Sequence, residues 1–239
     1  MGFINKKITG NIGMDNKIQR DKWINERLSS IPKGLKILDA GAGEQQYKKY
    51  CTHLEYTSQD FCQYEGTGDS AGLQTGTFDT SQIDIVSDIA SIPCEAKTFD
   101  VILCTEVLEH VPYPDKAIKE LTRLLKNGGT LIITAPFNSL THYAPFHFYS
   151  GFNKYFYQKI LEGDYEIKEL VANGNFFDYI SQEIRRINEI AKKYSSKKMK
   201  FMSKLLIVLL LALLNKFKKF DSGSYEVLCY GYQLVAIKK

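Results

Sequence analysis

The sequence has no close pair of cysteines. Its five (Cys51, Cys62, Cys94, Cys104 and Cys229) are odd in number and never fall at C-x-x-C spacing. That argues against a zinc ribbon or a dithiol redox motif and suits reduced thiols in a cytosolic protein. No other run of residues has metal-ligand spacing, so no metal is expected. A strong excess of one charge is also missing. With 31 Lys and Arg against 27 Asp and Glu, the net charge is +4, too mild for a dedicated nucleic-acid binder. The opening "MGFINKKITGN" lacks an apolar core of signal-peptide length. The longest apolar run, "LLIVLLLALL" from Leu205 to Leu214, falls short of the roughly twenty residues that span a bilayer. No internal repeat is visible.

What is present is a chain of 239 residues, 44% hydrophobic and 13% aromatic, enough for one sizeable α/β domain with a full core. Residues 1–35 read as a polar helical lead-in, with Trp23, Ile24 and Leu28 at helical spacing, that packs on the domain or covers a pocket. From Lys36 onward, short apolar runs ("KILDA", "LEYTSQDF", "IDIVSDI", "FDVILCTEVL", "GTLIITAPF") alternate with helical stretches. That alternation predicts a parallel sheet with helices on its faces. Between the last two runs, Asp115 is the expected N-cap of a helix. Its apolar face holds Ile118, Leu121, Leu124 and Leu125, and Gly128–Gly129 are expected to stop it. The core is expected over 36–175, a helical insertion or lid over 176–222, with a long helical stretch from about Phe177 to Phe220, and a final strand over 223–239. The long Gly, Ser and Thr-rich segment 61–82 reads as a functional loop, with a small disordered insertion as the alternative.

The turn "DAGAGEQQY" after the first strand run brings Gly41 and Gly43 where a backbone could approach a ligand. A dinucleotide loop wants a third glycine, and Gln46 stands in its place. Three strand runs in succession end in a carboxylate: Asp39, Asp60 and Asp88. An acid at the end of the second strand can accept both hydroxyls of a ribose. Each acid alone could equally be a helix cap. The segment Asp39–Gln46 holds no cation to meet phosphates, so a positively charged, phosphate-free nucleoside such as S-adenosylmethionine suits it better.

With these motifs in order, the sequence resembles the class I S-adenosylmethionine-dependent methyltransferases, in the type 11 branch. The resemblance rests on "ILDAGAG", "SQDF", "SDIASIP", "FDVILCTEVLEHV" and "LLKNGGTLIITAP", over roughly Ile37 to Pro136. It implies a Rossmann-like three-layer α/β sandwich whose seven-stranded sheet is mostly parallel with an antiparallel last strand. It also implies cofactor contacts at Asp39, Gly41, Ala42, Gly43, Asp60, Phe61, Asp88, Ile89 and Glu106. Gln45 departs from the branch, where many members keep a third glycine.

His142 and His147, in "THYAPFHFYS", read either as a general base or substrate contact or as surface residues; His110 reads as structural. The region after the fifth strand resembles, more loosely, methyltransferases of bacterial polysaccharide and surface-glycan assembly. That implies O-methylation of a sugar or glycan-linked hydroxyl, with a quinone-like or lipid acceptor, or a non-catalytic cofactor-binding scaffold, as alternatives. The apolar tract 201–220, flanked by Lys197, Lys198, Lys200, Lys204, Lys216, Lys218 and Lys219, reads as a packed helix, a homodimer surface or a peripheral membrane contact. The expected setting is the cytoplasm or the inner face of the membrane.

Overall fold

The computed structural model describes residues 9–195 and 199–239, which leaves the expectations for Lys197 and Lys198 outside it. Two units form: Lys22–Val171 with Gly231–Lys239, and the described part of Met1–Asp21 with Ala172–Tyr230.

The larger unit is built on seven strands: β1 (Lys36–Ala40), β2 (Glu55–Asp60), β3 (Ile85–Val86), β4 (Phe99–Thr105), β5 (Leu125–Pro136), β6 (Tyr165–Asn173, its last two residues in the smaller unit) and β7 (Gly231–Lys238). Their order in the sheet is β3-β2-β1-β4-β5-β7-β6. Pairing is parallel from β3 through β5, and β7 runs antiparallel to β5. The expected sheet is therefore found, antiparallel last strand included. Strand order reverses between β1 and β4, the place where open α/β sheets bind ligands. β4 reads as a continuous apolar run because its residues are buried on both faces. One face is covered by the C-terminal part of α1 (Asn16–Ser29), where Trp23, Ile24 and Leu28 pack with Ile37, Val101, Leu103 and Ile132. Glu169 fixes that end of the helix, accepting from Trp23 Nε1 at 2.8 Å and from Arg27 at 2.8 and 2.9 Å.

Several expected boundaries move. The crossover helix α2 (Pro114–Leu124) is preceded by Tyr113, with Pro114 in its first turn, so Asp115 lies inside it rather than capping it. Gly128 and Gly129 do not end this helix. Leu125 is already extended and pairs with Phe99, and the two glycines sit within β5 at a register shift between Phe99 and Val101. Gly128 takes φ +77°, and a Cβ on Gly129 would lie 2.9 Å from Asp100 O, so the pair makes a bulge. The last strand begins only at Gly231. A short helix, α3 (Lys154–Ile160), precedes β6, its first turn capped by the Asn153 side chain.

In the smaller unit the expected helical stretch is made of two helices, α4 (Phe176–Tyr194) and α5 (Phe201–Lys218). Asn175 caps α4, and Ser195 closes it by donating to Ala191 O at 2.6 Å. The helices pack through Phe177, Ile180, Ile184, Ile207, Leu211 and Leu214 with Ile12. Lys218 Nζ reaches the buried Asp178 carboxylate at 2.6 Å.

Candidate active site

At the strand-order reversal of the larger unit lies a cavity of about 530 Å³. Its floor comes from the C-terminal ends of the parallel strands: Gly41 and Gly43 after β1, Gln59, Asp60 and Phe61 at β2, Ser87, Asp88 and Ile89 after β3, and Glu106 and Val107 after β4. No lysine or arginine is among the described residues lining it.

The turn after β1 needs its glycines. Gly41 has φ +73°, and a Cβ there would lie 2.4 Å from Val107 Cγ2. Gly43 has φ +51°, with Phe78 Cζ at 2.7 Å from an added Cβ. The N–H groups of Gly41 and Ala42 both donate to Gln59 O, at 2.8 and 2.9 Å, which clamps the turn onto β2. Ala42 is buried and anchors the turn without lining the cavity. Gln45 adopts the left-handed conformation (φ +54°), one that glycine takes most readily. Its Nε2 donates to Ser58 Oγ at 2.8 Å and Gln82 O at 2.6 Å, bonds that a glycine could not make.

Asp60 is held firmly: Oδ2 accepts from Gly43 N–H at 3.0 Å and Oδ1 from Cys62 N–H at 2.9 Å. Asp88 stands two residues beyond the short β3, accepts from Ala90 N–H at 2.8 Å and remains exposed at the cavity wall. Glu106 sits in the left-handed region (φ +54°) and accepts from Thr134 Oγ1 at 2.9 Å.

Asp39 lies behind the turn and does not line the cavity. It is 1% exposed, Tyr56 OH donates to its Oδ2 at 2.7 Å, and its Oδ1 has no hydrogen-bond partner among the described residues. Burial, opposed by the Tyr56 bond and reinforced by Asp60, pushes its carboxyl up to about 7. Between the unfolded value near 4 and this folded value, the native state carries a proton that the unfolded state lacks. The contribution of this group to stability is therefore expected to fall as pH rises from about 4 to about 7, by at most ~1.4 kcal/mol per unit. Asp39→Asn should remove that slope, as measured by urea unfolding at pH 5, 6, 7 and 8; identical slopes in the two proteins would refute it.

The roof was only partly visible in sequence. Segment 61–82 contributes Gln63, Tyr64 and Phe78. It is tied to the segment after β5: Leu73 N–H donates to Thr141 O at 2.9 Å, and Tyr143 N–H to Leu73 O at 3.0 Å. Tyr64 stacks on Tyr143, with centroids 4.6 Å apart, and Tyr143 in turn stacks on His110 at 5.1 Å. His110 lines the cavity; His142 and His147 do not, and stand beside it with ring centroids 4.7 and 5.8 Å away. Burial together with neighbouring His142 and His147 drives His110 down to about 3, and burial and His142 also lower His147. Sequence reading missed Val107, Tyr64, Phe78 and the buried Glu109. Only the first and last of these lie in a quoted motif.

Known proteins resemble parts of this sequence and its fold. Residues 38–133 match the methyltransferase domain family. A ubiquinone biosynthesis O-methyltransferase of Xanthomonas axonopodis pv. citri (strain 306) is 30% identical over 118 residues, 48% of this chain and 48% of that protein. The chain thus spans about half or less of the curated relatives it matches. Two solved structures share the fold: the cyclase SpnF, at TM-score 0.54 and 16% identity over 92% of this chain and 81% of that one, and Haemonchus contortus phosphoethanolamine N-methyltransferase 2 with S-adenosyl-L-methionine, at 0.52 and 18% over 92% and 52%. Residues 38–133 are thus similar to the methyltransferase domain family, and one of the two structures that share the fold holds S-adenosyl-L-methionine.

The residues fit that cofactor. The turn is packed too closely against Val107 and Phe78 to carry side chains at Gly41 and Gly43, the described lining residues include Asp60, Asp88 and Glu106 and no lysine or arginine, and Asp60 is pre-set by two backbone donors.

Proposed function

We propose that this chain transfers the methyl group of S-adenosylmethionine to a hydroxyl of a small or glycan-linked acceptor. The cavity lining carries the reading: carboxylates from three strand ends, and no cation, around a turn that only glycine fits. When bound, S-adenosylmethionine supplies a methyl carbon on a positively charged sulfur. Asp60 would accept both ribose hydroxyls, Asp88 and the Ile89 backbone would meet the adenine, and Glu106 would offset the positive charge. Gly41 and Gly43 would let the backbone close on the amino-acid end, with Asp39 orienting the turn from behind. Of the two histidines expected from the sequence neither lines the cavity, and His147, beside His110, would be the one to take the acceptor's proton. Exclusion of water and alignment of the reacting atoms supply most of the rate such a displacement needs.

A sugar ring suits the aromatic walls formed by Phe61, Tyr64, Phe78, Tyr143, Phe146 and Phe148. A quinol-like acceptor is the second reading, favoured by the relatives named for ubiquinone biosynthesis. Turnover assays with labelled S-adenosylmethionine against sugar and hydroxylated quinol acceptors separate the two. Methylation of quinols alone would replace the first reading, and failure of the protein to bind S-adenosylmethionine would sink both.

No helix among the described residues is long and apolar enough to cross a membrane. Yet α5 turns Leu205, Leu206, Leu209, Leu210, Leu213 and Phe217 outward, while Leu211 and Leu214 are buried. Lys200, Lys204, Lys216 and Lys219 flank this stripe, so the occupant we infer is an anionic lipid surface at the inner face of the membrane. Vesicles containing anionic lipid should retain the protein at low salt, and paired Leu206→Glu and Leu209→Glu substitutions should reduce retention at least tenfold. A stable dimer that ignores such vesicles would overturn this.

A further inference from the structure

Beside the cavity, two loops far apart in sequence bring together a carboxylate and two imidazoles. Glu109 and His110 follow β4, and His142 follows β5. One ligand-type atom from each lies within 4.8 Å of the other two, and Glu109 is 1% exposed. We propose that Glu109, His110 and His142 form a binding site for a divalent first-row transition metal such as zinc.

The hydrogen bonds around the rings support this independently of proximity. His110 Nδ1 lies 2.5 Å from Phe146 O, and His142 Nδ1 lies 2.8 Å from Leu140 O. A carbonyl oxygen only accepts, so each Nδ1 carries the proton and each Nε2 keeps its lone pair. Histidines that ligate metals are oriented in this way, by a carbonyl or carboxylate on the other ring nitrogen. His110 Nε2 already lies 3.8 Å from Glu109 Oε1. The two loops are joined at the site itself, since Glu109 O accepts from Phe148 N–H at 2.9 Å and Tyr149 N–H at 3.1 Å. Two imidazoles and a carboxylate are a donor set that zinc takes in catalytic sites, with a further position open.

Zinc bonds of about 2.0–2.2 Å set ligand atoms roughly 3.4 Å apart, so the cluster contracts on loading. His147, its ring 4.8 Å from that of His142, stands beside the triad. Its Nε2 is 3.1 Å from Ser139 Oγ, whose own proton goes to Ser150 O at 2.8 Å. His147 therefore donates through Nε2 and keeps Nδ1 free to accept a proton. Because His110 also lines the cavity, a cation held here faces an acceptor hydroxyl and makes its proton easier to lose. That last role rests on the methyl-transfer reading; the metal site does not.

The test is titration of the metal-free full chain with cobalt(II), followed by absorption, and with zinc(II) against a competing chelator. The expected result is one equivalent per chain, visible-region cobalt bands and no thiolate charge-transfer band. Glu109→Gln, which preserves shape, and His142→Ala should each weaken zinc binding at least about tenfold, while His53→Ala leaves it unchanged. No binding, a thiolate band, or wild-type affinity in both Glu109→Gln and His142→Ala would overturn the proposal. S-adenosylmethionine titrated into the same metal-free protein reports on the methyl-transfer reading separately.

Discussion

Asp60→Ala should weaken S-adenosylmethionine binding by about 100-fold or more in calorimetric titration. A carboxylate that accepts two hydroxyl hydrogen bonds contributes on the order of 1.5–3 kcal/mol from each, and every 1.4 kcal/mol is about tenfold in affinity. The same side chain organises its surroundings, because Gly43 and Cys62 each give it a backbone N–H. Some of the loss therefore passes through the turn. Asp60→Asn keeps the shape and one acceptor oxygen but turns its NH2 toward one of the two backbone donors, so its affinity should fall between the two and its unfolding midpoint below wild type. If the folded Asp60→Ala protein bound as tightly as wild type, the cofactor would have to lie elsewhere.

Gly41→Ala should have the largest effect on stability of any single methyl addition at the site. Its φ of +73° disfavours an L side chain by about 1–2 kcal/mol. The new Cβ would also stand 2.4 Å from Val107 Cγ2, and such overpacking typically costs about 1–3 kcal/mol. Together these predict a loss of roughly 2–5 kcal/mol, or about 4–20 °C in the unfolding midpoint for a chain of this size. Adding Val107→Ala should recover the steric part but not the backbone part. Gly43→Ala should cost less, because its close neighbour is the tip of the Phe78 ring, which can move. A Gly41→Ala protein as stable as wild type would mean that the turn is not held where the Val107 contact puts it.

The residues legible in sequence were those whose role is set locally. Gly41, Gly43, Asp60 and Glu106 sit at strand ends, and strand ends can be read from apolar runs, so the cavity floor was visible before the fold. The roof was not, since Tyr64 and Phe78 lie in a segment with no periodicity, and their positions follow from hydrogen bonds to residues 141–144. The grouping of Glu109 and His110 with His142 was hidden for the same reason. Local signals also misled where one residue type serves two purposes. Gly128–Gly129 is as good a helix stop as it is a strand bulge, and the pairing of Leu125 with Phe99 decided the matter. The apolar run 205–214 was obvious by composition, but composition does not say which leucines are covered.

The bridge between Leu73 and His142 has a consequence for how acceptor preference can change in such a protein. Because the loop after β2 and the loop after β5 share backbone hydrogen bonds, neither can be exchanged with a homologue alone without orphaning donors and acceptors in the other. They constitute one transplantable cassette, and a chimera that carries both would import a new roof while leaving the floor of the cavity intact.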